Sequence, residues 1–173
     1  MVIKMEEEKK ENKIWKNIKE LIPYVIILLV VILIRTYLVT PIKVQGQSMS
    51  PTLTGKEFMI LKKYDKTIER FDIVVVNTEH DDIIKRVIAL PGETIACENG
   101  NIYVNGRKLE DNYGSGDTSD FKKVTLKDNE YYVLGDNRED SLDSRYFGPF
   151  TKDKIKGTTN LILFPFNKIG VVK

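Results

Sequence analysis

A serine in a short turn-like segment is the first candidate for chemistry in this sequence. Ser48 lies in the run Gly-Gln-Ser-Met-Ser-Pro-Thr-Leu, in which Gly46 permits a tight turn and Pro51 stiffens the chain that follows. A serine hydroxyl becomes an effective nucleophile only when a neighbouring base takes its proton. The segment alone is typical of an ordinary turn, so a base must come from elsewhere in the chain.

Histidine and cysteine do not provide an obvious partner. His80 is the only histidine, and it lies in the polar segment 77–82 between two apolar runs, where an exposed loop residue is expected. Cys97, the only cysteine, lies beside an Asn-Gly pair and has no obvious cationic neighbour to activate it. A single cysteine excludes an internal disulfide. One cysteine and one histidine are also too few to form a zinc site of Cys and His ligands. Neither residue therefore predicts a metal centre.

Lysine is the other residue that can act as a base for serine. Its pKa must then fall from about 10.4 to about 8, and burial among apolar side chains has this effect. In the run Ile-Ile-Lys-Arg-Val-Ile, the period of a strand places Lys85 on one face with Ile83 and Val87. A lysine in such a run can equally be a charge that protects a sheet edge from aggregation. Periodicity alone leaves Lys85 a candidate.

The elements that must position these residues are short strands. Runs rich in β-branched and aromatic residues occur at 58–61, 71–76, 83–88, 102–104, 131–134 and 161–164. Asn-Gly pairs at 99–100 and 105–106 indicate hairpin turns, and the polar residues 110–121 indicate a surface loop. The sequence predicts a mainly β fold, with one compact, mostly antiparallel domain over residues 41–173.

An apolar segment long enough to span a bilayer precedes this domain. Residues 21–34 carry no charge, and residues 21–40 would form a helix of roughly 30 Å. A buried core helix is the alternative. The residues that follow the apolar run are not the small ones of a secretory cleavage site, which favours a retained anchor. Six lysines in residues 1–20 predict a cytoplasmic N-terminus. We therefore expect a single-pass protein of the cell membrane with its β domain outside the cytoplasm.

Four segments in chain order resemble the motifs of the type I signal peptidases, the membrane-bound Ser/Lys proteases that remove secretory signal peptides. They are the nucleophile motif at 48–53, a core strand at 71–76, the general-base motif at 85–93 and the longest signature at 135–148. The resemblance extends from the predicted anchor to the C-terminus. It is specific because four separate motifs occur in the same order as in the family. It implies a coiled antiparallel β-sheet domain tethered by one N-terminal transmembrane helix.

The resemblance also implies a role for each matching residue. Ser48 corresponds to the nucleophile and Lys85 to the general base, and Ser141 corresponds to a serine whose hydroxyl hydrogen-bonds the lysine amine. Asp143 and Arg145 correspond to a structural ion pair that supports the site. Shallow apolar pockets for the −1 and −3 residues of the substrate would be formed by Ile42, Val44, Met49, Leu53, Met59 and Ile84.

The expected partners are secretory precursors with small residues at −1 and −3, together with membrane lipid. One position departs from part of the family: some members have a serine two residues before the nucleophile, and its hydroxyl donates to the oxyanion hole. Gly46 occupies that position in this chain and has no side chain. The backbone N–H of Ser48 remains as one donor, and the second is left open.

Two other functions explain part of the sequence. A cytosolic, repressor-cleaving Ser/Lys autoprotease would share the chemistry but has no need of residues 21–40. A non-catalytic, membrane-tethered β module would explain the anchor and the strands but not the four motifs. Nucleic acid is not an expected partner, because 27 Lys and Arg against 25 Asp and Glu leave a net charge of only +2.

Overall fold

The computed structural model describes residues 2–64 and 67–172. The chain divides into two compact units, one ending at Leu38 and the other beginning at Val39. The first unit is helical, and the second consists mainly of β-strands.

The helical unit carries the apolar segment. Helix α1 spans Val2–Leu33 and continues as a π-helical turn over Ile34–Leu38. The 20 residues Lys19–Leu38 have a mean hydropathy of 2.5 and none is buried, so this stretch is long and apolar enough to cross a membrane. Val39 and Thr40, the last two residues of the segment that the sequence assigns to the anchor, begin a strand, where their β-branched side chains fit well.

The described part of the second unit contains twelve strands and one short α-helix. Helix α2 spans Ser144–Phe147, and short 3₁₀ segments cover Lys152–Lys154 and Phe166–Lys168. The strands are β1 (Val39–Lys43), β2 (Phe58–Lys62), β3 (Ile73–Asn77), β4 (Asp82–Ala89), β5 (Thr94–Glu98), β6 (Asn101–Val104), β7 (Arg107–Lys108), β8 (Phe121–Thr125), β9 (Glu130–Leu134), β10 (Phe150–Thr151), β11 (Ile155–Phe164) and β12 (Gly170–Val171).

These strands form two antiparallel sheets. The larger has the order β1-β2-β11-β3-β4-β9-β10, with β12 also paired to β11, and the smaller has the order β7-β6-β5-β8. The predicted fold class is confirmed: the chain is mainly β, with antiparallel sheets and an N-terminal apolar helix.

Local backbone geometry explains where strands turn and begin. Asn99 and Gly100 both have positive φ (51° and 75°), as do Asn105 and Gly106 (51° and 75°), which is the geometry of a type I′ hairpin turn. Both predicted hairpins are present. Strand β3 begins two residues later than the run 71–76 suggests, because Phe71 has a φ of 73° and leaves the extended conformation.

Apolar packing joins the two sheets and supports the segment that contains Ser48. One buried cluster includes Cys97 and joins the smaller sheet to β4 and β9. A second packs Met49 and Leu53 against residues of β2, β3 and β11. The segment 44–57 is therefore held by side chains in the core, although it lies between strands.

Strand register brings the chemical motifs together. Lys85 on β4 pairs with Val74 on β3, and the neighbouring Arg86 pairs with Leu134 at the end of β9. The loop 135–143 therefore begins beside Lys85. Ser48 approaches from the connection between β1 and β2.

Candidate active site

The structure places the predicted nucleophile and the predicted base in contact. Lys85 Nζ donates a hydrogen bond of 2.7 Å to Ser48 Oγ and another of 3.0 Å to the carbonyl oxygen of Ile84. The two residues are 37 positions apart in the sequence. With the amine neutral, the same 2.7 Å contact allows the hydroxyl proton to pass from Oγ to Nζ.

Burial gives Lys85 the electrostatic character that a base requires. The residue is only 3% exposed. Loss of solvent lowers the pKa of its amine to about 8, against the opposing pull of the Asp143 and Asp136 carboxylates, and the Arg145 guanidinium lowers it further. A substantial fraction of the amine is therefore neutral at mildly alkaline pH.

A compact turn holds Ser48. Ser50 N donates to Gln47 O at 2.9 Å, and Leu53 N donates to Met49 O at 2.8 Å. Gly46 adopts a φ of +82°, a conformation that favours glycine. An added Cβ at Gly46 would contact no other group, so backbone conformation rather than space favours glycine there.

A buried ion pair ties the Ser48 turn to the strand that carries Lys85. Arg86 Nε and Nη2 donate to the two carboxylate oxygens of Asp136 at 2.8 and 2.7 Å. Thr52 Oγ1 donates to the same carboxylate at 2.6 Å. Arg86 also donates to Phe71 O at 2.8 Å, and its guanidinium lies 3.8 Å from the ring centre of Tyr113. Removing either charge would leave the other buried and unpaired.

Asp143 and Arg145 form the ion pair that the family resemblance implies. Arg145 Nε and Nη2 donate to the Asp143 carboxylate at 2.9 and 2.8 Å, and Gly135 N donates to it at 3.0 Å. Burial raises the pKa of Asp143, but these hydrogen bonds outweigh that effect and the pKa lies below its ordinary value. Asp143 therefore stays ionised, and its negative charge limits how far the pKa of Lys85 falls.

Ser141 lies beside Gly135, next to the site, and does not hydrogen-bond the Lys85 amine. Its hydroxyl is buried, and no hydrogen bond of normal geometry joins it to any residue in the described ranges. The hydroxyl is near enough to Asp143 to help lower the pKa of that carboxyl. It packs against Gly135, where an added Cβ would collide with Ser141 Oγ and with Ser48 O. The hydrogen bond from Ser141 to the Lys85 amine stays a prediction.

The six predicted pocket residues all belong to one apolar cluster. Val44, Met49, Leu53 and Met59 are buried members of it, and Ile42 and Ile84 pack against it half-buried. A cleft of about 290 Å³ lies above the cluster, between residues 43–46, 48 and 49 on one side and residues 82–85 on the other. Of the six, only Val44, Met49 and Ile84 line the cleft. The other three belong to the cluster but do not line the cleft.

One donor is available for the oxyanion site that the sequence analysis expects. Ser48 lines the cleft, and its backbone N–H donates to no other residue among those described. Gly46 also lines the cleft but offers no hydroxyl. The second donor is not assigned by these contacts.

His80 and Cys97, which the sequence analysis did not favour as catalytic residues, take no part in the contact between Ser48 and Lys85. His80 is exposed in the turn between β3 and β4, where its backbone N–H donates to Thr78 Oγ1 at 3.3 Å. Cys97 is buried, and burial together with the Asp120 carboxylate raises the pKa of its thiol. Within the described ranges, no group of three or more His, Cys, Asp or Glu is arranged to hold a metal ion.

Several supporting residues were not singled out by sequence reasoning. Arg86 and Asp136 lie inside the quoted motifs, but nothing in their spacing indicates that they pair with each other. Glu57 is fully buried and accepts hydrogen bonds from Thr54 and from Lys168, which is 111 positions away. Contacts between residues so far apart in the sequence depend on the order of the strands in the sheet. No local sequence pattern indicates that order.

The chain resembles known proteins over most of its length. The family model described as signal peptidase, peptidase S26, matches residues 17–164. Signal peptidase I of Bacillus amyloliquefaciens is 38% identical over 164 residues, which cover 86% of this chain and 89% of that protein. Signal peptidase I S of Bacillus subtilis (strain 168) is 38% identical over 161 residues, which cover 84% of this chain and 88% of that protein.

A solved structure is also similar. The crystal structure of a signal peptidase I from Enterococcus faecalis V583 is 32% identical and covers 53% of this chain and 96% of that chain, with a TM-score of 0.48. The family match alone includes all four sequence motifs. The chain therefore belongs to the signal peptidase I family, peptidase S26, whose members are serine proteases that cleave signal peptides from precursors.

Proposed function

We propose that this chain cleaves signal peptides with Ser48 as the nucleophile and Lys85 as the general base. The observation that carries the proposal is the 2.7 Å contact between Ser48 Oγ and the amine of a lysine that is 3% exposed. A pKa of about 8 makes that amine a usable base near neutral pH. The buried Arg86–Asp136 pair holds the loop 135–143 against the lysine strand.

In the proposed cycle, neutral Lys85 accepts the hydroxyl proton as Ser48 Oγ attacks the scissile carbonyl carbon. The resulting ammonium protonates the leaving amine, the C–N bond breaks, and the signal peptide remains bound to Ser48 as an ester. Lys85, neutral again, takes a proton from water as the water oxygen attacks the ester. The proton then returns to Oγ when the signal peptide leaves. No metal ion or cofactor takes part.

The substrate would bind as an extended strand between two free backbone edges. Strand β1 pairs only with β2 in the described sheet, and β4 pairs with β9 only from Arg86 onward. The edges at β1 and at residues 82–85 face the same cleft. Main-chain hydrogen bonds to these edges would fix the register of the substrate. Val44, Met49 and Ile84 would leave room only for small residues at −1 and −3.

We further propose a single-pass cell-membrane location with a cytoplasmic N-terminus. The 20-residue apolar stretch Lys19–Leu38 supports the anchor, and the lysines before it support the orientation through the positive-inside bias. An anchor holds the protease and its membrane-bound precursor at one surface, which raises their effective concentration.

The proposal is tested by precursor cleavage in membranes that lack other signal peptidases. Ser48→Ala and Lys85→Arg should each abolish cleavage. Arginine keeps the positive charge but does not give up its proton. Ser50→Ala, in the same turn, and Lys123→Arg, on the exposed face of β8, are matched controls that should keep wild-type activity. Cleavage at the wild-type rate by either Ser48→Ala or Lys85→Arg would overturn the dyad.

A further inference from the structure

One residue of the loop 135–143 contacts both peptide carbonyls that flank the nucleophile. Asn137 N donates to Ser48 O at 3.0 Å, and Asn137 Nδ2 donates to Gln47 O at 3.3 Å. Gln47 O also accepts the turn hydrogen bond from Ser50 N. The carbonyl of the Gln47–Ser48 peptide is therefore held in place by two donors.

The orientation of that carbonyl fixes the orientation of the Ser48 N–H. In a trans peptide the C=O and N–H bonds point in opposite directions, and the Gln47–Ser48 peptide is not one of the two cis bonds among the described residues. Since Gln47 O is directed to Asn137 and Ser50, the Ser48 N–H is directed away from them. Ser48 lines the cleft, and its N–H has no partner among the described residues.

We propose that Asn137 is a positioning residue: its side-chain amide holds the Gln47–Ser48 peptide so that the Ser48 N–H points at the oxyanion that forms during acyl transfer. The proposal rests on the proposed function, because it assumes that Ser48 is the nucleophile. It deepens that function by adding a residue that sets the direction of the oxyanion donor and has no hydrogen bond to Lys85.

Asn137 is itself rigidly held, as this role requires. Ser115 N donates to Asp136 O at 2.7 Å, and Arg138 N donates to Ser115 O at 2.9 Å, so backbone hydrogen bonds flank Asn137 on both sides. The Asp136 carboxylate is fixed in turn by Arg86. Because Asn137 is fixed in this way, the hydrogen bond from its side-chain amide can fix the orientation of the Gln47–Ser48 peptide.

The absence of a side chain at Gly46 gives this contact its importance. Backbone N–H groups stabilise an oxyanion only when they are aimed at it in advance, and one well-placed donor is worth about 100-fold or more in rate. With no hydroxyl at position 46, stabilisation depends more on the Ser48 N–H. A small rotation of the peptide would lengthen that hydrogen bond in the transition state without changing how the substrate docks.

The test compares Asn137→Ala and Asn137→Asp with wild type in precursor cleavage. Both variants keep the backbone N–H that contacts Ser48 O, but neither has a side-chain donor for Gln47 O. We expect kcat at its alkaline plateau to fall about tenfold or more, while KM stays within about twofold and the pH midpoint of Asn137→Ala stays at the wild-type value. Glu139→Gln, an exposed change in the same loop, should keep wild-type kcat.

Two further measurements separate positioning from structure and from substrate binding. The melting temperature of Asn137→Ala should match that of Glu139→Gln, because the Asn137 side chain is only half-buried. A peptide aldehyde, which forms a hemiacetal with Ser48, should lose affinity by the same factor as kcat. Substrate binding is measured in proteins that cannot cleave the precursor. The Ser48→Ala single variant and the Ser48→Ala, Asn137→Ala double variant should bind the precursor with equal affinity.

The outcomes are distinct. An unchanged kcat, a rise in KM alone, a shifted pH midpoint in Asn137→Ala, or an activity loss that follows a fall in melting temperature would each overturn the positioning role. An unchanged aldehyde affinity would overturn it as well. Failure of the proposed function gives a different result, because Ser48→Ala would then cleave the precursor as well as wild type.

Discussion

At the scale of single residues, Lys85 illustrates what sequence can and cannot establish. Strand periodicity made it a candidate, but the same periodicity is compatible with an edge charge. The deciding facts are the 2.7 Å contact with Ser48 Oγ and the 3% exposure, and both depend on residues far away in the chain. Local spacing cannot report a contact across 37 positions. The catalytic roles of both residues stay predictions.

The lowered pKa of Lys85 has a cost in stability. A buried amine with a pKa of about 8 instead of 10.5 destabilises the folded state by about 3 kcal/mol at neutral pH. Lys85→Met removes that cost and loses two hydrogen bonds worth about 1 kcal/mol each. We expect the inactive variant to be more stable than wild type by about 1 kcal/mol at pH 7, as measured by denaturant unfolding.

The pH dependence of this difference has a definite sign. Below pH 8 both the folded and the unfolded wild type carry the proton, so the cost is fully present. Between about pH 8 and 10.5 the folded state has lost the proton while the unfolded state keeps it, so wild-type stability rises relative to Lys85→Met. Lys123→Met, an exposed change, should show neither effect. A variant less stable than wild type at pH 7 would contradict the account.

At the scale of elements, the sequence predicted most of the central strands, wholly or in part, and missed several at the edges. Strands β2, β4, β6 and β9 occur where the apolar runs indicated them. Strand β8 was not predicted, because its sequence, Phe-Lys-Lys-Val-Thr, is partly charged, as edge strands often are. The two-residue strands β7, β10 and β12 are too short to leave any periodic pattern.

The sequence also did not indicate the hydrogen bonds of Glu57 that hold the segment carrying Ser48. The buried carboxylate of Glu57 accepts hydrogen bonds from Thr54 Oγ1 at 2.8 Å and from Lys168 Nζ at 2.8 Å. Glu57 O accepts a further hydrogen bond from Val44 N, at the end of β1. Glu57 therefore joins both ends of the connection between β1 and β2 to the C-terminal part of the unit.

Glu57→Gln should destabilise the protein in a pH-dependent way. Burial raises the pKa of Glu57, but hydrogen bonds from Lys168 and Thr54 outweigh it and lower the pKa to about 2. The stabilisation is fully present above the unfolded-state pKa of about 4.5 and is lost as the pH falls through 2. The melting temperature of Glu57→Gln should therefore lie below wild type at pH 7 and approach it at pH 3. Glu98→Gln, an exposed control, should have the wild-type melting temperature at both pH values. If the melting temperature of Glu57→Gln were lowered equally at pH 7 and pH 3, the proposed role of the Glu57 carboxylate would be contradicted.

At the scale of the whole molecule, the sequence predicted a membrane anchor followed by a β domain, and the described structure has an apolar helix followed by a β unit. The anchor and the domain bounds stay predictions. The apolar helix was recognisable because hydrophobicity over about 20 residues is a local property. Strand order in the β domain is not local, and it decides which loops meet. For this reason the motifs could be found in the sequence, while the contacts among them required the fold.

The proposed orientation predicts which part of the chain is accessible from outside the cell. In intact protoplasts, an added protease should digest the loop 110–121 of the β domain, while a tag before residue 1 should stay protected until the membrane is lysed. A tag on the outside of the membrane, or a β domain protected in intact protoplasts, would contradict the orientation.

The most direct test of the central claim is to titrate the Lys85 amine and the activity of the same protein. NMR of the full chain with labelled lysine, with Lys85→Arg used to assign the signal, would give the pKa of the amine. Precursor cleavage over the same pH range would give the midpoint of kcat/KM. We expect one midpoint near 8 in both measurements, with activity rising as the proton is lost. An amine that stays charged to about pH 10.5 while cleavage is already at its maximum near pH 8 would contradict it.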